Sequence, residues 1–127
     1  MLPVTDLQLD VLRVLWTRGE ATVSEVHEDL AGERDLAPTT VATLLSRLER
    51  RDLVAHRTEG RRHIYRAVLS EESLREQVLD TVTSEVFGGD VAALVCQLLD
   101  ARGVAAGDLA RVRELIDAMD PETTDDR

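Results

Sequence analysis

Lysine is absent from this 127-residue chain; all 15 basic residues are arginine, set against 25 Asp and Glu for a formal net charge of −10. Cysteine is almost absent too. The single Cys96 excludes an internal disulfide and a thiolate metal cluster, and fits a reducing compartment. With Trp16, Tyr65 and Phe87 as the only aromatics, any core must be aliphatic. No apolar run reaches the length of a membrane span; the longest uncharged run, which ends at Ser46, is rich in Thr and Ser. Residues Met1 to Asp6 show no basic segment leading into an apolar one. These absences predict a soluble cytoplasmic protein. Catalysis has no footing either. His27, His56 and His63 fall in no metal-ligand or triad spacing, and Gly88-Gly89 runs into Asp90 rather than into a phosphate-binding Gly-Lys-Ser. No enzyme activity, cofactor or metal is expected.

What is present is unevenly distributed. Hydrophobic residues make up 43% of the chain, enough for a modest core. Residues 1–36 carry 3 Arg and 8 acids, and residues 69–127 carry 5 Arg and 14 acids. Residues 37–68 reverse the sign, with 7 Arg against 3 acids and two histidines besides. A local basic stretch in an acidic chain points to an anionic partner at that stretch, or to a solvated arginine-rich surface.

Helix signals are plain in the first half. Thr5-x-x-Gln8 and Thr22-x-x-Glu25 read as capping boxes, with Val4 and Leu9 as a hydrophobic staple on the first. Gly19 closes the first helix and Gly32 follows the second. A third helix starts at Pro38, where no amide hydrogen is needed. Its Val41, Leu44, Leu45 and Leu48 follow the i, i+3, i+4, i+7 rule and must face a core. The opposite face carries Thr39, Thr43, Ser46 and Arg50, flanked by Ala42 and Arg47, with no acid near its centre. Short alternating runs at residues 53–57 and 63–68, joined by a Gly-containing turn over residues 58–62, predict a β-hairpin with Arg61 and Arg62 at its tip. His56 and His63 flank that turn.

From Ser70 the pattern is helical again. Leu74, Val78, Val82 and Val86 form an i+4 stripe; Phe87-Gly88-Gly89-Asp90 is a stop and restart; further amphipathic helices carry Leu94 and Leu98, then Leu115. The expected organisation is a winged helix-turn-helix over residues 1–69, a helical dimerisation region over 70–120 and an acidic disordered tail over 121–127. The fold class is mainly α with a small β-hairpin wing. A helix lined with Thr, Ser and Arg suits the major groove, and arginines at its end and at the hairpin tip suit phosphates. Two other uses stay open for such a domain: a protein-binding winged helix, and a ligand-responsive regulator. The C-terminal stripes need cover, from a second copy or from the chain's own first domain. Cys96 reads as a small buried hydrophobe.

Several segments together resemble the penicillinase-repressor family of bacterial transcriptional repressors, the BlaI/MecI group. The resemblance runs through Asp10-Val11-Leu12-x-Val14-Leu15-Trp16 and Thr22-Val23-Ser24-Glu25-Val26. It continues through residues 36–48, with Thr39-Thr40-Val41-Ala42-Thr43-Leu44-Leu45-Ser46-Arg47-Leu48, then Tyr65-Arg66-Ala67 and Phe87-Gly88-Gly89-Asp90. It implies a homodimer on a double-stranded DNA operator, with Thr39, Thr40, Ala42, Thr43 and Arg47 in the recognition helix and Arg61 and Arg62 in the wing. At Thr39 and Ala42 some relatives carry longer basic side chains, so base contacts there are not inherited. The resemblance also implies a membrane-bound sensor protease as a partner, with a cut at Gln97-Leu98. Cys96 alone does not match the cysteine cluster of the copper-responsive branch.

Overall fold

Caps and glycines set where the helices begin and end. The computed structural model describes residues 3–102 and 105–119. Helix α1 (Asp6–Arg18) opens on the expected reciprocal capping box: the Gln8 amide donates to Thr5 Oγ1 at 3.1 Å, and the Thr5 amide donates to Gln8 Oε1 at 3.0 Å. Gly19, at φ 85°, closes it with its amide on the Leu15 carbonyl. Strand β1 (Ala21–Thr22) follows at once, then α2 (Val23–Leu30), capped by Thr22 and Glu25 in the same reciprocal manner. Helix α3 (Pro38–Arg50) starts on its proline with no side-chain cap.

The end of α3 is a Schellman motif built on an aspartate. Asp52 takes φ 62°, its amide donates to Glu49 O, and the Leu53 amide donates to Leu48 O. This turn throws the chain directly into β2 (Val54–Glu59), which pairs with β3 (Arg62–Ala67) from Val54–Ala67 to Glu59–Arg62. The hairpin is therefore longer and its turn tighter than the alternation implied. Two residues, Gly60 and Arg61, make the turn, with positive φ at Gly60 and not at Arg61, the pattern of a type II′ hairpin. Strand β1 adds to the other edge of β3, giving the order β1-β3-β2. Thr22 thus pairs with Ile64 in the sheet and also caps α2, and it is 9% exposed.

The core is aliphatic, as three aromatics require. Val11, Leu12 and Leu15 of α1, Val26 of α2, Val41, Leu45 and Leu48 of α3 and Val54 of β2 are fully buried. Each such side chain contributes on the order of 1.5–3 kcal/mol over its exposed state. Trp16 packs against this cluster and its indole N–H donates to the Leu69 carbonyl at 2.9 Å.

Helix α4 (Glu71–Thr81) is capped by Ser70, as expected, and continues into one π-helical turn, Val82–Val86. Gly88 and Gly89, both at positive φ, precede α5 (Val91–Arg102), whose Asp90 cap accepts from the Ala93 amide. Helix α6 (Ala106–Met119) is the last described element, and the tail expected over residues 121–127 lies outside the described residues. The chain divides into two compact units, Met1–Val82 and Thr83–Arg127. That division differs from a boundary at Ser70, because Leu74 is buried in the first unit's core and Val78 packs against it. These two positions of the stripe are therefore covered within the first unit. Cys96 departs from its expected burial: it is exposed on α5, on a side of the helix that no core residue among the described residues covers. Among the described residues, no single helix is long and apolar enough to cross a membrane.

Candidate nucleic-acid interface

The outer face of α3 exists because its inner face is fully committed. Val41, Leu44, Leu45 and Leu48 are buried, which turns Thr39, Thr40, Thr43, Ser46, Arg47 and Arg50 outward. The structure brings the expected residues of this helix together. Ala42, Thr43, Ser46, Arg47 and Arg50 line one shallow depression, and Thr39, Thr40, Thr43 and Arg47 line its neighbour. Arg61 and Arg62 stand apart from both, in the hairpin turn and at the start of β3. The Thr43 hydroxyl donates to the Thr39 carbonyl at 3.0 Å, so the side chain presents lone pairs and a methyl group outward rather than a proton.

The seven arginines of the basic stretch are not equivalent, and composition alone could not sort them. Arg57 is spent on carboxylates: it holds both Glu20 oxygens, at 3.0 and 3.1 Å, and reaches Glu59 at 3.2 Å. That bond holds the Glu20 carboxyl below the usual glutamate range and pushes the Arg57 guanidinium further up. Arg51 is tied to the Gln8 side chain and the Pro3 carbonyl near the start of the chain. Arg62 has a long pair with Glu59 at 3.5 Å. Arg66 acts on the Glu20 carboxyl through its charge, without a hydrogen bond. The side chains of Arg47, Arg50 and Arg61 have no ion pair or hydrogen bond among the described residues, so they can meet an anion without giving up a partner.

The wing carries a feature that the spacing of its histidines only hinted at. His56 and His63 stack across the strands with ring centroids 4.2 Å apart and planes at 15°, and Tyr65 lies 5.4 Å from His56. His56 Nδ1 sits 2.8 Å from both carboxylate oxygens of Glu49, in the last turns of α3. Burial, and then the Glu49 charge, push the Tyr65 phenol above its ordinary value, so it stays neutral. His27 is engaged elsewhere, its Nε2 lying 2.8 Å from the Leu36 carbonyl.

The remaining site positions run from Val82, at the end of the first unit, into the helices of the second. Val86, Leu98 and Leu115 are 57%, 47% and 58% exposed, Val82 and Leu94 are half-buried, and Gln97 is exposed beside Leu98. Ile116 and Met119 add to the apolar surface of α6.

The family model described as Penicillinase repressor matches residues 4–118. The chain is similar to the transcriptional regulator BlaI of Mycobacterium tuberculosis, 34% identical over 108 residues, which is 84% of this chain and 78% of that protein. It is 21% identical over 114 residues to the penicillinase repressor of Bacillus licheniformis, covering 90% and 89% of the two chains. Among solved structures, the solution structure of the DNA-binding domain of the repressor BlaI matches with a TM-score of 0.51 at 28% identity. That match spans 57% of this chain and 88% of that one.

Proposed function

The chain belongs to the penicillinase repressor family, a family of transcriptional repressors and not of enzymes, and from that premise we propose that it represses transcription as a homodimer on a dyad operator. One observation carries the DNA-binding half of this reading. The outward face of α3 is made of small hydroxyl side chains edged by unpaired Arg47 and Arg50, with unpaired Arg61 on the wing. In this reading Thr39, Thr40, Ala42, Thr43, Ser46 and Arg47 enter the major groove, where arginine reads guanine and a threonine methyl meets the thymine methyl. Arg50, Arg61 and Arg62 hold phosphates and set register. Thr43, having spent its hydroxyl proton on Thr39, discriminates by its methyl and its lone pairs.

Dimerisation is supported by the apolar surface of α5 and α6. Val91, Leu98, Leu109, Leu115, Ile116 and Met119 are all at least 43% exposed in the single chain. A patch of that kind on a soluble protein marks an interaction site. A second copy is the occupant that also matches the two-fold symmetry of helix-turn-helix operators. For release, cleavage at Gln97-Leu98 by a membrane-bound sensor protease completes the proposal, since both residues are exposed on α5.

The test is fluorescence-anisotropy binding to the chain's own promoter fragment at two salt concentrations. Tight, salt-steep binding at two chains per site, lost in Arg47→Glu, is the expected result. Binding that tolerates Arg47→Glu, or no binding even at low salt to this fragment and to a pool of random duplexes, would overturn the reading in favour of a protein-binding winged helix. Leu115→Glu with Ile116→Glu should yield monomers in sedimentation equilibrium, and an unchanged dimer would remove α6 from the interface.

A further inference from the structure

We propose that Glu49, His56 and His63 are positioning residues that dock the wing on the C-terminal end of α3, and that protonation of the imidazole pair tightens DNA binding. The inference rests on the DNA-binding reading above and adds a regulation to it.

The geometry fixes what each proton can do. His56 Nδ1 faces both Glu49 oxygens at 2.8 Å, so the Nδ1 hydrogen is donated to the carboxylate and the neutral ring keeps its lone pair on Nε2. Taking up a proton at Nε2 leaves that bond in place and turns it into an ion pair. His63 lies flat against the same ring, 4.2 Å away. Two imidazolium rings at that distance would repel each other. Among the described residues, Glu49 is the one carboxylate hydrogen-bonded to the pair. Glu49 faces the pair from α3, while His63 and the neutral Tyr65 face it from β3. Arg57, next to His56 on β2, projects to the opposite face of the strand and is already held by Glu20 and Glu59. At the wing tip, Glu59 and Arg62 answer each other.

With both imidazoles neutral, Glu49 is a net negative charge next in sequence to Arg50, one of the proposed phosphate ligands. Protonation cancels it. Histidine is the side chain that changes charge between about pH 5 and 8. DNA stabilises the protonated state, so affinity must rise as pH falls through that range. A purely structural clamp makes no such demand.

The experiment uses the full chain and a labelled pool of random-sequence duplexes, titrated at fixed low salt from pH 6 to pH 8. The wild type should bind on the order of fivefold more tightly at pH 6 than at pH 8. His56→Gln should flatten that profile to less than about twofold. Glu49→Gln, whose side-chain oxygen still accepts the His56 Nδ1 hydrogen and so keeps the wing docked, should bind more tightly than wild type at pH 8, because it removes the negative charge beside Arg50. In the free protein, the ring-proton NMR titration of His63 should move when His56 is replaced. Thermal melts monitored by circular dichroism check that each variant folds. Parallel profiles in wild type and His56→Gln, or weaker binding by folded Glu49→Gln at pH 8, would overturn the inference and leave DNA binding standing. Binding with a flat wild-type profile would do the same. No binding at any pH would overturn the repressor reading and this inference with it.

Discussion

Arg61 offers the sharpest test of how this acidic protein holds a polyanion. It occupies the second position of a two-residue turn, pairs with nothing among the described residues, and supports no core side chain. Replacing it with alanine should therefore leave stability within about 0.5 kcal/mol of wild type. Its effect on binding can be worked from counterion release. If Arg50, Arg61 and Arg62 each neutralise one phosphate, a dimer neutralises about six, and log K should fall against log salt with a slope near −5. Between 50 and 200 mM salt, that slope costs about a thousandfold in affinity. Arg61→Ala removes two contacts per dimer, so the slope should relax to about −3.6 and the same salt step should cost only about a hundredfold. Glu59→Gln is the matched opposite. It releases Arg62 from its 3.5 Å pair and should tighten binding across all sequences. Anisotropy titrations at four salt concentrations read both effects directly. An unchanged slope in Arg61→Ala would mean that the wing tip never reaches a phosphate, and the assignment of the hairpin as a wing on DNA would fail.

Other consequences are local. Asp52→Gly should stabilise the protein by about 0.5 kcal/mol in urea denaturation, because glycine adopts φ 62° without penalty; a loss of stability would refute the Schellman reading. Trp16→Phe deletes the indole N–H donated to Leu69 and strands that carbonyl, so unfolding followed by circular dichroism should show a loss of about 1–3 kcal/mol. Arg18 grips Asp29 at 2.7 and 2.9 Å and holds its carboxyl below the usual aspartate range. A carboxyl lowered in the folded state contributes stability that is complete above the ordinary aspartate range and is lost as pH falls through and below it. Melting temperature should accordingly fall between about pH 5 and pH 3, and less steeply in Asp29→Asn; identical slopes would show that the pair adds nothing.

Much of this architecture is written in local grammar. The threonine caps at Thr5 and Thr22, the proline at Pro38 and the spacing of Val41, Leu44, Leu45 and Leu48 act within one or two turns, and each appears where its chemistry demands. What escaped depends on partners distant in sequence. Strand β1 is two residues long and has no pattern of its own; it is a strand only because β3 lies beside it. The hairpin turn read as five residues and is two, because Thr58, Glu59 and Arg62 look like turn residues and yet complete the ladder. The arginines could be counted but not sorted, since Glu20 claims Arg57 across 37 positions and the start of the chain claims Arg51 across 48. The stripe of α4 showed which residues are apolar without showing that Leu74 is consumed by the first unit.

Thr22 has a consequence for how the protein breathes. Its backbone belongs to the sheet, its hydroxyl accepts the Glu25 amide, and its own amide is held by Glu25. A hairpin tethered at such a node is not a free flap. Peeling β3 away exposes the edge that Thr22 completes and loosens the start of α2 in the same event. Amide hydrogens at Ile64 and Tyr65 should then exchange with solvent only as slowly as those of the buried helices, through whole-unit opening rather than through local fraying. A wing of this kind arrives at DNA already rigid, and the ordering cost that a floppy hairpin would incur on docking has been met during folding.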